Sequence, residues 1–337
     1  MDNKIKIGIG AGVVALIIAG GGYYCLNANQ RTPDYAIETL EQAIENHDTK
    51  SFYDVVDLDG VLNTSYDGLV EGLTDVDKSM SNDAKDAVKN FTQMMKAPLL
   101  SSLKTAIESY VATGAFNESK DTGVSELLKR AGIDRIEYRG VDGVEINSDF
   151  DEAVASVRIY QPEIGREFVL KAVLNQNELG RWQFVRLENF GDFMSQITAV
   201  RRAQLERYLE KTAEINSRHD KTISEAEQKY SSLAIGGIGQ SNTRSELKNL
   251  MLDVIKKDWE VRRQELFGLS VPAAAGSLQN LYMKICDLEI GYAEDYARWM
   301  EDRKATTIKF AEEKQRQAQT LRAEAAEVSR RFTAGAE

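Results

Sequence analysis

The 337-residue sequence predicts an α+β chain: an N-terminal transmembrane helix, helices packed on a four-stranded antiparallel meander, then a C-terminal antiparallel helical hairpin or three-helix coiled-coil-like bundle. Three observations carry this expectation. Residues 7–26 hold no charged side chain, the apolar period switches from helical to two past Ile133, and no proline interrupts the helical patterns between Pro162 and Pro272.

The apolar run of 20 residues, including Val13, Val14, Leu16, Ile17 and Ile18, matches a hydrocarbon core of about 30 Å at 1.5 Å per residue. A cleaved secretory signal also starts with a positive stretch and an apolar core, but it ends in small residues. This run ends Gly22-Tyr23-Tyr24-Cys25-Leu26, so an uncleaved anchor with an interfacial tyrosine pair is the preferred reading. The same tyrosines spoil the small-residue box that lipidation of Cys25 would need. Lys4 and Lys6 precede the run and only Arg31 follows it closely, which places the N-terminus in the cytoplasm and the bulk outside it. The Gly8/Gly12 spacing is too weak a signal in so glycine-rich a segment to claim helix pairing.

Charge divides the remainder into two parts. Residues 31–195 carry 17 Lys+Arg against 30 Asp+Glu, and residues 196–337 carry 23 against 22, so the net −11 resides in the first part. The expected organisation is residues 1–30 as stub and anchor, 31–195 as an acidic α+β domain, and 196–337 as a long-helix bundle or coiled-coil arm.

In the first part, Thr32-Pro33-Asp34 combines a capping hydroxyl, a first-turn proline and an acidic residue at the positive end of the helix dipole. Ala36, Ile37, Leu40 and Ile44 then form a helical stripe, closed at His47-Asp48. Short helices follow through Phe52, Val55 and Val56, through Val61, Leu62, Leu69 and Val70, and over residues 82–97. Pro98 predicts a break or kink, with helix resuming through Leu99, Leu103, Ile107 and Val111, and a last short helix over 124–130. Ala153, Ala155, Val157 and Ile159 then alternate with Val154, Ser156, Arg158 and Tyr160, and Phe168, Leu170, Ala172 and Leu174 alternate with Val169, Lys171 and Val173. A final run puts Trp182 and Phe184 on one face and Val185 and Leu187 on the other. Turns fall at 141–143, 162–165 and 175–180.

The helical segments Ala43-Ile44-Glu45-Asn46-His47-Asp48 and Phe52-Tyr53-Asp54-Val55-Val56-Asp57-Leu58-Asp59, followed by a meander ending Gly180-Arg181-Trp182-Gln183-Phe184-Val185-Arg186-Leu187, resemble poorly characterised membrane-anchored bacterial domains. Those are similar in layout to the cystatin-like and nuclear-transport-factor-two-like α+β superfamily, over residues 33–190. The resemblance implies a cone between helices and sheet that Tyr138, Tyr160, Trp182 and Phe184 would line, although core packing explains the same residues without a ligand and is the preferred reading. It carries over no catalytic residue, because that superfamily hosts isomerases, dehydratases and non-catalytic binders alike.

The second part reads as three helices. The first spans about 193–233 through Ile197, Val200, Leu205, Leu209, Ile215 and Ile223, and breaks over 234–239. The second follows Asn242-Thr243 as caps and carries Leu247, Leu250, Met251, Val254, Ile255, Trp259 and Leu266. The third is expected over 273–332, some 60 residues and about 90 Å if unbroken. Its stripe of Leu278, Leu281, Ile285, Leu288, Tyr292, Tyr296 and Trp299 suits a partner helix, while the thinner distal pattern suits a two-strand arm or a solvated helix.

Composition limits the chemistry. Two cysteines and two histidines leave neither a disulfide framework nor a histidine-rich metal centre, and Cys286 reads as a buried apolar residue. Asp54, Asp57 and Asp59 before Gly60 suggest a calcium loop, but alignment on Gly60 puts Val55 and Tyr66 at essential ligand positions. His219, within Arg218-His219-Asp220-Lys221, reads as exposed, and the charge-mixed helices as solvated faces. No basic groove exists for nucleic acid. The expectation is therefore a non-enzymatic single-pass envelope scaffold, anchored by residues 7–26 and joined to a protein partner or to itself through its C-terminal helices. Cofactors and metals are not expected. A small-molecule binding module using the cone, and an enzyme using it with His47, Asp57 or Tyr160, are the alternatives.

Overall fold

A computed structural model describes residues 32–75, 82–114, 132–133, 136–147, 149 and 151–334. The expected anchor over 7–26, Cys25 and the short helix over 124–130 lie outside the described residues. Among those described, no helix is long and apolar enough to cross a membrane. The chain divides into two compact units, one ending at Val200 and one beginning at Arg201.

In the first unit, α1 (Pro33–Glu45) starts as its sequence dictates: the Tyr35 N–H donates to Thr32 Oγ1 at 3.3 Å, with Pro33 in the first turn. It buries Ala36, Leu40 and Ala43. The chain turns at His47, which adopts a left-handed φ of 58° and donates from Nδ1 to the Val111 carbonyl at 3.2 Å. Asp48 then caps α2 (Thr49–Val55), its Oδ1 accepting the backbone N–H groups of Lys50 and Ser51 at 3.0 and 3.1 Å. Helices α3 (Leu58–Asp75) and α4 (Asn82–Thr113) follow.

Of the break or kink expected at Pro98, the break does not occur: α4 continues through it. A proline there forfeits the single hydrogen bond that its N–H would have donated to Met94. Burial of Leu103, Ala106, Ile107 and Val111 beyond it holds the helix together.

Strands β1 (Glu137–Asn147), β2 (Glu152–Gln161), β3 (Arg166–Gln176) and β4 (Trp182–Leu187) form an antiparallel meander in the order β1-β2-β3-β4. Strict alternation along β2 buries Ala153, Ala155, Val157 and Ile159 on one face. In the β3–β4 turn, Asn177 Oδ1 accepts from the Leu179 and Arg181 N–H groups, and Gly180 supplies the required left-handed φ of 68°.

The pairing of β3 with β4 shifts between Val173 and Leu174, so Leu187 faces Ala172 while Phe184 faces Leu174. This bulge corrects the face assignment of β4. Val185 absorbs the extra residue, and Leu187 rejoins Trp182 and Phe184 in the core instead of opposing them. The free edge of β4 is covered by residues 56–57, where Val56 bridges Phe184 and the Asp57 N–H donates to the Phe184 carbonyl at 2.9 Å. The core lies between the inner sheet face, helices α1 to α4, and Phe190, Phe193, Met194 and Ile197 at the start of α5 (Phe190–Ile235).

The second unit contains the rest of α5 and then α6 (Ser241–Asn249), a π-helical segment Leu250–Lys256, α7 (Lys257–Phe267), a short 3-10 turn Ala273–Ala275, α8 (Gly276–Asp302) and α9 (Ala305–Ala334). Helix α6 begins one residue before the expected caps, behind Gln240, which makes no side-chain capping bond.

The expected 60-residue third helix is instead a hairpin. Arg303 adopts a left-handed φ of 55°, and its N–H closes α8 on the Trp299 carbonyl at 3.0 Å. Asp302 caps the following helix, accepting from the Lys304 N–H at 2.9 Å and the Thr307 hydroxyl at 2.8 Å. The pairs Asp295–Lys314 and Glu289–Arg322 run in opposite chain directions, which makes α8 and α9 antiparallel. The distal segment is thus neither an extended arm nor a solvated helix. Ala311, Ala318 and Ala325, seven residues apart, are buried and permit a close approach to the unit's core.

Candidate functional site

The four cone residues do not share one face of the sheet. Trp182 and Phe184 are buried as core filling. Tyr138, opposite Ile159, lies half-buried on the inner face. Tyr160 alternates with the buried side of β2 and lies on the outer face, under the Arg139 guanidinium 5.0 Å from its ring centroid. One sheet face cannot present both Ile159 and Tyr160, so the four aromatics do not line one cavity.

The enzyme candidates are also held by separate local contacts. His47 serves the α1–α2 turn, and Asp57 Oδ1 accepts the Gly60 N–H at 3.0 Å at the start of α3. A Cβ on Gly60 would collide with that carboxylate and stand 3.0 Å from the Val185 carbonyl oxygen, which explains the glycine without any metal. Asp59 is paired with Lys104 at 2.8 Å. Among the described residues, no group of three or more His, Cys, Asp or Glu side chains is placed to hold a metal ion.

Two interacting groups of the first unit, Glu41 and Tyr138, are displaced from ordinary behaviour. Burial, reinforced by Glu45 and Glu38, pushes the Glu41 carboxyl up to about 7. Burial also raises the Tyr138 hydroxyl, with the Glu41 charge adding to the effect.

The helical stripe expected to meet a partner lies within its own unit. Leu278, Ile285 and Tyr296 are buried, Leu281, Tyr292 and Trp299 pack against the same core, and Leu288 is half-buried. Tyr296 stacks edge-on with Tyr230 and Trp299, at 5.8 and 5.3 Å between centroids.

The helical unit contains a cleft of about 330 Å³ bordered by α5, α7, α8 and α9. Helix α7 supplies Trp259, Arg262 and Leu266, which recur at positions i, i+3 and i+7 and so share one face. The π-helical turns end just before them; widened turns of this type occur often at functional sites.

Arg262 is only 7% exposed. Its Nε and Nη2 donate to Asn216 Oδ1 at 2.9 and 2.7 Å, and its Nη1 to Asp220 Oδ1 at 2.8 Å. Its guanidinium lies 4.4 Å from the Trp259 ring centroid, and that of Arg322 lies 4.9 Å from the same ring. Arg322 Nη2 donates to Glu289 Oε1 at 2.7 Å. Burial raises the Glu289 carboxyl, against the pull of Arg322 and Arg262. Leu266, Ile285, Ala325 and Cys286 form the apolar wall. Burial pushes the Cys286 thiol up to about 11, so it stays protonated at neutral pH.

A second buried polar group adjoins this one on α5 and α7. His219 Nδ1 meets Asp258 Oδ1 at 2.8 Å and its Nε2 meets Glu265 Oε2 at 3.2 Å, while Arg218 also pairs with Glu265. Asp258 Oδ2 is buried without a hydrogen-bond partner. His219 is therefore interior, not exposed, and Arg262, Glu289 and Asp295 are likewise buried instead of lying on solvated faces.

The missed signal was positional. His219 falls on the seam Tyr208, Thr212, Ile215, His219, Ile223, Ala226, and Glu289 falls between Ile285 and Tyr292. A polar residue at a seam position is an interior polar residue whatever its immediate neighbours are.

The first unit offers a contrasting feature. Phe91 and Met94 on α4 are 60% and 68% exposed, and exposed Met95 and Pro98 continue the same face at i, i+3, i+4 and i+7 spacing. No family model, curated protein or solved structure matches the chain.

Proposed function

We propose that this chain is a non-enzymatic, single-pass envelope protein that binds a small molecule in the cleft of its helical unit. The carrying observation is a locked cation beside open space: three Arg262 N–H groups are committed and its face is stacked on Trp259, at the border of a cleft of about 330 Å³. Cavities of this size with an apolar wall and a few oriented polar groups are the usual form of ligand sites. The lysine-flanked apolar run over 7–26 supports a membrane anchor with the two units outside the cytoplasm.

Ala326 lines the cleft and is otherwise exposed, so Ala326→Leu fills the space without disturbing the core. In a thermal-shift screen of small organic acids, amides and amines on the full chain, at least one class should stabilise the wild type and not this variant. A screen with no hit sensitive to Ala326→Leu counts against the reading. Protease treatment of intact spheroplasts should degrade both units; their protection would reverse the topology.

A second reading, a scaffold that docks a protein partner, is favoured by the exposed Phe91, Met94 and Met95 face. Crosslinked partners lost on Met94→Glu would support it.

A further inference from the structure

The geometry points to a small amphipathic carboxylate as the ligand of this cleft: an organic acid with its head on Arg322 and an apolar body along Leu266, Ile285 and Ala325. The inference rests on the reading of the cleft as a binding site. At interior packing density the volume suits a ligand on the order of a dozen non-hydrogen atoms, too small for a folded partner's segment.

The sign of the ligand follows from the two guanidinium groups that border the cleft. Burial is the largest influence on the Cys286 sulfur in the lining and disfavours a charge there; Arg262, Arg263 and Arg322 offset it only in part, with Asp287 acting against them. Arg262 and Arg322 also flank one indole within 5 Å, hence within about one Debye length of each other. Asp220 pairs with Arg262 and Glu289 with Arg322, so a further anion is drawn to the half-exposed Arg322, whose guanidinium has donors beyond the one given to Glu289.

The head group follows from the donors that remain. Arg262 has committed Nε, Nη1 and Nη2 to Asn216 and Asp220. Arg322 commits Nη2 to Glu289, lines the cleft and has a side chain that is 44% exposed. One guanidinium edge offers two parallel N–H bonds, which match the two oxygens of a carboxylate. A dianionic phosphate would meet one open edge beside two carboxylates, Asp220 and Glu289, and would be undercompensated. The apolar wall adds about 25 cal/mol for each Å² of ligand body it covers, which selects an acid with a hydrocarbon portion.

The test is calorimetric titration of the full chain in lipid nanodiscs, with empty nanodiscs as blanks, using 4-phenylbutyrate, 4-phenylbutanamide and inorganic phosphate. The acid should bind at least about tenfold more tightly than the amide, the range expected for a charge-assisted hydrogen bond, and phosphate should not compete. Arg322→Lys, which keeps the charge and loses the planar fork, should weaken the acid by about tenfold and leave the amide unchanged. Ala326→Leu should abolish binding of both; should that variant misfold by circular dichroism, Arg322→Lys decides alone.

Equal affinity for acid and amide, both lost in Ala326→Leu, would overturn the carboxylate assignment and leave the cleft as a ligand site. Competition by phosphate, or no binding of the acid, would overturn the assignment too. Binding of the acid that neither variant alters would overturn both the assignment and the site.

Discussion

The two units solve the problem of a core in opposite ways. The α+β unit closes one sheet face under helices with an interior that is almost wholly apolar, where Gln161 and Ser65 are the buried polar side chains among those described. The helical unit buries Arg262, Glu289, Asp295 and His219 beside Trp259 and Leu266. A sheet face separates inside from outside by strict alternation, so polar residues are sorted to the outer face. A helix seam recurs less sharply, and charged side chains at seam positions survive when each finds a partner across the bundle. The apolar interior supports a fold. The polar interior borders a cleft.

Four measurements would break or sharpen that contrast. Phe184→Ala and Trp182→Ala should each destabilise the α+β unit by about 3–5 kcal/mol, read as loss of hydrogen-exchange protection on β3 and β4. A loss under about 1 kcal/mol would mean that these rings border a cavity after all. Next, His219→Ala should destabilise the helical unit by about 3 kcal/mol, because it strands the buried Asp258 carboxylate. The double replacement His219→Leu with Asp258→Leu should recover most of that loss in urea denaturation. If the double variant is as unstable as the single, the polar pair does more than compensate its own burial.

Glu41→Gln addresses a partly buried acid of the α+β unit. Its folded carboxyl lies at about 7, above its ordinary value of 4.5, so the folded state holds its proton more tightly than the unfolded state does. That contribution is complete below about 4.5 and is lost as pH rises through about 7. The amide should therefore raise stability at pH 8 by on the order of 1 kcal/mol, discounted for a half-exposed side chain, and change nothing at pH 4. A gain of equal size at both pH values would remove the titration from the explanation. The smallest effect is expected for Lys257→Ala, which removes an exposed pair with Asp253 at 2.9 Å and should change stability by less than about 0.5 kcal/mol. A larger loss would show that the helical unit depends on the number of its ion pairs and not on their burial.

Much of the first unit was legible residue by residue. Thr32-Pro33-Asp34 and Asp48 act as helix starts, and the β2 alternation appears as read, because capping and two-residue periodicity are local properties. The β4 bulge was not legible. It depends on how Val173 and Leu174 are paired by a neighbouring strand, and nothing within 182–187 announces it. In the second unit the hairpin at Arg303 was missed because no glycine or proline marks it. Its capping signal, Asp302 followed by Thr307, resembles ordinary charged helix. His219 differs from its expected exposure because its seam position outweighs the charges on either side of it.

The sequence alone determined the α+β class, the four-strand meander, the helical second part and the division of charge between them, since each depends on periodicity and composition over short windows. Only the tertiary structure decided that the C-terminal segment folds back, that the proposed partner stripe is covered by its own chain, and that a cleft opens beside two arginines on one tryptophan. Those outcomes depend on which helices meet across the bundle. Pairing between distant segments is fixed by packing and by compensation of buried charge, and neither is written in any single stretch of residues.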